Sequence, residues 1–221
     1  MTQHQRILLT ACLLLTACTA PPVRPEESPA PSFSAPQLDG TLSAGEWDTA
    51  QVERFADGSE LLLMRMDGAL YLGVRAAGED MIAANIFLDL NGEVRILHIS
   101  AALGTAVYVE GENGWTLTRD FEWCCRETFE SDAAQAARDA LLAGEGWTSV
   151  NSRVGAPDEL EVRIDIPGVQ RLAVNILRSS QPDVKMPWPV ELTDDVLLPT
   201  PGGLPAVLQF QPDTWWALLP N

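Results

Sequence analysis

The side chains able to do chemistry are few and unevenly placed. After residue 17 the chain holds one histidine, His98, and one adjacent pair of thiols, Cys124 and Cys125. A serine–histidine–aspartate hydrolase would have to use His98, and a packed or half-exposed strand histidine explains it more simply. A zinc centre from Cys124, Cys125 and His98 lacks a fourth ligand. Unpaired thiols outside the cytoplasm tend to oxidise, so the two cysteines either form a vicinal disulfide or stay as separate buried thiols. No nucleophile-elbow, His-Glu-x-x-His or phosphate-cradling glycine motif appears, and the expectation is a protein without catalysis. Asp89, Asn91 and Glu93 make an oxygen-rich turn of the kind calcium accepts, or a plain hairpin turn. The chain carries seven tryptophans. An exposed indole face stacks on the apolar side of a sugar ring while nearby acids and amides bond its hydroxyls. Trp115, Trp123, Trp147 and Trp188 lie near expected loops or strand ends and, with Tyr71, are the candidate stacking residues. Core packing is the competing role for each, and Trp47 is assigned to the core.

The N-terminus has a separate logic. Arg6 precedes an apolar run, Ile7 to Leu15, which is too short for a membrane span of roughly 20 residues and fits the centre of a secretory signal. Leu15-Thr16-Ala17-Cys18 follows and resembles the bacterial lipobox, in which the cysteine thiol accepts diacylglycerol. Residues 1–17 are therefore read as a lipoprotein signal peptide and Cys18 as the lipidated residue. Two or three acyl chains on one cysteine hold a protein stably at a membrane. The expected location is extracytoplasmic, anchored by lipid to the cell membrane or the outer membrane.

Six of the 18 residues from 19 to 36 are proline. Such a stretch favours extended polyproline II, and at about 3.1 Å per residue it reaches up to ~55 Å. Residues 18–36 are read as lipidated cysteine and linker, and 37–221 as one domain. Removing residues 1–17 takes one arginine and no acid, leaving 13 basic and 31 acidic side chains, a net charge of −18. Nucleic acid is excluded as a partner, because its phosphates need Lys and Arg to neutralise them. Adhesion to anionic lipid by charge alone is excluded for the same reason.

Short apolar segments separated by tight turns must position the candidate residues. Asp67-Gly68 signals a two-residue type I′ turn, which pairs Arg65 with Leu70, Leu63 with Leu72 and Leu61 with Val74. Leu61, Leu63, Leu70, Leu72 and Val74 then share a core face. The opposite face, with Leu62, Met64, Met66, Tyr71 and Arg75, is only partly polar and needs a cover. Asn91-Gly92 makes a second hairpin that sets Phe87 across from Ile96 and Asn85 across from His98. Further strands are expected at 105–109, 115–119, 147–154, 159–166, 171–178 and 206–211, with an edge strand near Trp215-Trp216. Ser131 can cap one helix that Gly144 would end. The sum is an all-β fold: an antiparallel β-sandwich of two sheets with one inserted short helix.

Three segments together resemble the family 9 carbohydrate-binding modules and the wider DOMON-like superfamily. The first runs Gln37-Leu38-Asp39-Gly40 through Gly45-Glu46-Trp47-Asp48-Thr49-Ala50. The second is Leu70-Tyr71-Leu72-Gly73-Val74, followed by Ile86-Phe87-Leu88-Asp89-Leu90-Asn91-Gly92. The third is Glu159 to Pro167, then Val174-Asn175-Ile176-Leu177-Arg178. The match spans roughly residues 37–178 and departs at 120–150, where the Cys-Cys pair and the helix are inserted. It implies a β-sandwich, structural roles for Asp39, Gly40 and Trp47, and a carbohydrate ligand bound without catalysis. Some DOMON-like domains instead hold b-type haem for electron transfer. That alternative would pair Met64 or Met66 with His98 or Lys185, with Met186 as another ligand. An envelope assembly protein with no small ligand is the third expectation.

Overall fold

The computed structural model describes residues 34–78, 80–125, 131–151, 158–189, 192 and 203–218. Residues 1–17, Cys18 and most of the linker lie outside the described residues. The described chain forms two antiparallel sheets and one helix. The five-stranded sheet runs β1 (Gln51–Arg54), β2 (Glu60–Met66), β3 (Ala69–Arg75), β9 (Glu159–Ile164), β8 (Trp147–Asn151). The eight-stranded sheet runs β11 (Met186–Trp188), β10 (Arg171–Arg178), β4 (Ile82–Asp89), β5 (Glu93–Ile99), β6 (Leu103–Gly111), β7 (Gly114–Arg119), β12 (Val207–Leu208), with β13 (Trp216–Ala217) also on β10.

The turn chemistry fixes the registers. Asp67 and Gly68 have φ of 53° and 85°, and Asn91 and Gly92 have 59° and 99°. Two successive positive φ angles define the type I′ turn whose twist matches the flanking strands. The pairs Leu63–Leu72, Leu61–Val74, Phe87–Ile96 and Asn85–His98 follow as the sequence predicts. Leu61, Leu63, Leu70, Leu72 and Val74 meet Ile86, Leu88, Leu97, Ile99, Val174 and Ile176 between the sheets. Trp147 sits fully buried among them, its Nε1 donating to Thr105 Oγ1 at 2.9 Å.

Both outer faces are covered by chain outside the sheets. Leu42 and Trp47, from the segment before β1, pack on Leu62, Met64 and Tyr71. Gly73 permits this approach, because a Cβ there would stand 2.6 Å from Leu42 Cδ2. Beneath this cover lies Glu161, 0% exposed, which accepts hydrogen bonds from the backbone N–H groups of Asp39 and Gly40 and from Trp47 Nε1. Leu208, Phe210 and Trp215 from the C-terminal segment cover Phe87, Ile96, Ala106 and Tyr108 on the eight-stranded sheet.

Several boundaries differ from the sequence reading. The helix α1 (Asp132–Glu145) starts at the Ser131 cap as expected but ends at Gly146 (φ 75°), not Gly144, because the left-handed cap that closes it falls two residues later. The strand expected at 206–211 shrinks to Val207–Leu208, since the following segment turns into a short 3-10 turn at Pro212–Thr214. Strand β1 lacks apolar alternation and β11 contains Pro187, so neither shows in the pattern, and both are edge strands where such residues are tolerated. Residues 152–154 of the strand expected at 147–154 lie outside the described residues.

Replacing Trp47 with Phe keeps the ring contact with Leu62 and Met64 but removes a donor from a buried carboxylate. We expect Trp47→Phe to lower unfolding free energy by about 1–3 kcal/mol. Trp123→Phe, at an exposed ring, should stay within about 0.5 kcal/mol of the parent. Urea titration followed by far-ultraviolet circular dichroism measures both.

Candidate functional site

The predicted tryptophans fall into different environments. Trp147 is in the inter-sheet core. Trp115 is buried by the C-terminal segment, its Nε1 donating to the Phe210 carbonyl at 3.2 Å. Trp188 is buried against Trp216 with ring centroids 5.4 Å apart. Tyr71 lies under the Leu42–Trp47 cover, and burial raises its hydroxyl above the usual tyrosine value. These four offer no ring face to a ligand, which corrects the sequence expectation; apolar area at strand ends is claimed by the covering segments. Trp123 is the exception, at 44% exposed.

The sheet builds the surroundings of Trp123. After β7 the chain continues along β6, and Leu103 and Cys124 exchange two backbone hydrogen bonds of 2.8 and 3.0 Å. This places Phe121 and Trp123 over Gly104, stacked with centroids 4.8 Å apart. A Cβ at Gly104 would stand 2.9 Å from the Trp123 ring and 3.2 Å from that of Phe121, so glycine is what lets the rings lie on the strand. Both rings also meet His98, Trp123 edge-to-face at 5.2 Å and Phe121 at 5.8 Å. Cys124 and Cys125 are joined in a vicinal disulfide, and Cys125 is left-handed at φ 61°.

A polar row runs across the same outer face. Register aligns Asn175 of β10, Asn85 of β4, His98 of β5 and Gly104 of β6. Side chains in register on neighbouring strands share a face, so the row leads from beneath Trp123 to Asn175. His98 Nδ1 meets Asn85 Oδ1 at 2.7 Å and Nε2 meets Ser100 Oγ at 3.0 Å. With Oδ1 accepting, Nδ1 carries the proton and Nε2 accepts from the Ser100 hydroxyl. Asn175 is 0% exposed, and neither Oδ1 nor Nδ2 has a hydrogen-bond partner among the described residues. Buried amides are nearly always paired, and Asn175 is one of several buried side chains with an atom that has no partner among the described residues. Sequence reading named His98 but passed over Asn85 and Asn175. The signal was present in the register, where two asparagines fall on one cross-strand row.

Ser100, His98 and Asn85 have the order of nucleophile, base and orienting amide. Burial pushes His98 down to about 4, well below the range in which a base serves best near neutral pH. Ser100 Oγ is also engaged by the Ala102 N–H at 3.3 Å.

Two further expectations are corrected. In the Asp89–Asn91–Glu93 turn, Asp89 accepts from the Asn91 N–H and pairs with Arg171 at 3.2 Å, while Glu93 pairs with Arg95 at 2.6 Å. Arginines fill the places a calcium ion would need, and the described residues contain no cluster of three or more His, Cys, Asp or Glu suited to a metal. The haem pairing fails on topology. Met64 and Met66 lie on the outer face of the five-stranded sheet, and His98 on the outer face of the other, with the whole core between them. Lys185 is exposed in the loop before β11, and Met186 points into the inter-sheet core.

No described helix is long and apolar enough to cross a membrane. Comparison with family models, with curated proteins and with solved structures returns no match. What the chain shows by itself is the class: a two-sheet antiparallel β-sandwich with an aromatic and amide site on one outer face.

Two buried groups give opposed pH dependences. Burial raises Glu161 from 4.5 to about 7, so the folded chain holds an extra proton across that interval. Its stability contribution is complete below 4.5 and lost as pH rises through 7. His98 falls from 6.5 to about 4, so the unfolded chain holds the extra proton there. That contribution is complete above 6.5 and lost as pH falls through 4. Each proton is worth about 1.4 kcal/mol per pH unit, and the two cancel between 4.5 and 6.5. Urea unfolding should therefore give a flat profile for the parent there, a rising one for Glu161→Gln and a falling one for His98→Gln. Parallel profiles for the two variants would contradict the assignment.

Proposed function

We propose that this chain is a lipid-anchored, extracytoplasmic and non-catalytic binding module for a neutral carbohydrate, held at the outer face of the eight-stranded sheet. The observation that carries the reading is Trp123: a half-exposed indole, laid flat by Gly104 and stacked with Phe121, at one end of a row of uncharged amide and imidazole groups that lie buried beneath the surface. Aromatic faces take the apolar side of a sugar ring, and amides are suited to its hydroxyls because they both donate and accept. The row itself carries no charge at neutral pH, with His98 well below it. A net charge of −18 after residue 17 repels anionic polymers, which favours a neutral glycan. The resemblance to family 9 carbohydrate-binding modules supports the same ligand class, and the two-sheet sandwich is the fold that resemblance implies.

The lowered His98 value and its doubly occupied ring support binding over catalysis. The Leu15-Thr16-Ala17-Cys18 motif and the proline-rich linker support display away from a membrane.

Affinity electrophoresis or calorimetry on a panel of neutral polysaccharides tests the reading. The parent protein should be retained by at least one member of the panel. Trp123→Ala should weaken retention by about tenfold or more, the scale of losing one aromatic anchor. Gly104→Ala, which lifts both rings without altering them, should weaken it in the same direction, and chelator should leave binding unchanged. A parent that binds none of the panel, or a Trp123→Ala variant that binds equally well, rules the reading out.

A further inference from the structure

We propose that Cys124–Cys125 is a redox-active site that exchanges with an external dithiol, and that its state decides whether the Trp123 platform is held on the sheet. The inference rests on the binding reading only for what the platform does; the redox step stands on the segment itself.

The disulfide cannot serve the usual purpose. A cross-link stabilises by restricting the unfolded chain, and the effect grows with the loop it closes. Here the linked residues are adjacent, so almost nothing is restricted and its effect must be local. Three observations locate that effect. Cys125 is held at φ 61°, a left-handed conformation that glycine adopts freely and that L-residues other than asparagine and aspartate disfavour. Cys124 is the residue whose N–H and C=O both bond to Leu103, the tie that docks this segment on β6. Trp123 precedes it directly and rests with Phe121 on Gly104 and His98. The ring of the disulfide thus holds the backbone in the turn that the docked arrangement requires. Both cysteines are half-buried and not sealed in, so a dithiol can reach them.

The exchange balances as ordinary thiol–disulfide chemistry. A thiolate of the dithiol attacks one cysteine sulfur, the Cys124–Cys125 bond breaks, and the other cysteine leaves as thiolate. The second thiol of the reagent then displaces the first cysteine and closes its own disulfide. Two electrons and two protons pass to the protein. Cys125 is then free to leave the left-handed region, and the pairing of Cys124 with Leu103 loosens with it.

Hydrogen exchange on the full chain, with peptide mapping of the cysteine pair, tests this without a sugar. The aerobic protein should carry the linked pair, and dithiothreitol should open it. Opening should lower protection of the Leu103 and Cys124 amides by about tenfold, the scale set by releasing one left-handed residue, while Ile96 is unchanged. The Cys124→Ala/Cys125→Ala variant should match the reduced protein in either buffer. Cys124→Ala/Cys125→Gly should stay protected in either buffer, because glycine adopts that φ freely. Equal protection in both redox states overturns the proposal, as do unlinked cysteines in the aerobic protein. A glycine variant as loose as the alanine one overturns it too. The polysaccharide panel run in both states separates the two readings: a segment that loosens on reduction in a protein that binds no sugar supports the redox site and removes only the carbohydrate.

Discussion

Each sheet of this protein is apolar on both faces, and that constraint organises everything else. A sandwich of two sheets buries only the two inner faces. Here β2 and β3 also carry Leu62, Met64 and Tyr71 outward, and β4, β5 and β6 carry Phe87, Ile96 and Tyr108 outward. Apolar area of that extent is not left in water, so the chain ends are drawn over it. The N-terminal segment covers one sheet and the C-terminal segment the other. The seven tryptophans are explained largely by this demand: most are spent on covers and core, and one is left facing solvent.

Covering an outer face buries polar groups that a simple sandwich would leave wet. Glu161 is the clearest case. Its neighbours on the strand face the core, while it faces the N-terminal cover and receives three N–H donors from it. The cover is thereby registered on the sheet by a buried carboxyl group that accepts three of its N–H groups, which is a positional device as much as a stabilising one. Arg75 works beside it, reaching Glu60, Glu159 and the Leu42 carbonyl. On the other sheet the polar row of His98, Asn85 and Asn175 is closed over differently. His98 and Asn85 satisfy one another, and Asn175 is left with an open donor and acceptor. Glu161 receives three donors on one face while Asn175 receives none among the described residues on the other, and the Asn175 face is where an aromatic platform stands.

How much of this was legible in the sequence follows from the range of each signal. The hairpins at Asp67-Gly68 and Asn91-Gly92 were readable to the residue pair, because turn chemistry fixes register locally. The need for a cover on the Met64–Tyr71 face was readable from its composition, and a structural role for Trp47 from its motif, but not that Trp47 belongs to that cover. Exposure of individual tryptophans was not readable. Trp115 and Trp123 both sit near strand ends, and what separates them is Phe210, nearly a hundred residues further along, lying over one and not the other. The calcium and haem expectations failed for the same reason: Asp89 meets Arg171, and Met64 and His98 are placed on opposite sides, through pairings that sequence spacing does not encode.

The segment from Phe121 to Cys125 shows why the site lies where it does. Strand β7 leaves β6 after Arg119, so the first residues of β6 have no regular partner on that side and are met instead by an irregular continuation bonded only at Leu103. Phe121 and Trp123 are two residues apart, so an extended backbone directs both rings to one side, the side of Gly104. The continuation that carries them has few ladder bonds to hold it among the described residues. A local fastening is then required, and adjacent cysteines supply one without tying the segment to any distant part of the chain. Such a fastening is also the kind that can be undone without unfolding the sandwich, because this segment meets the buried clusters only at their margins, through Phe121 and Cys125.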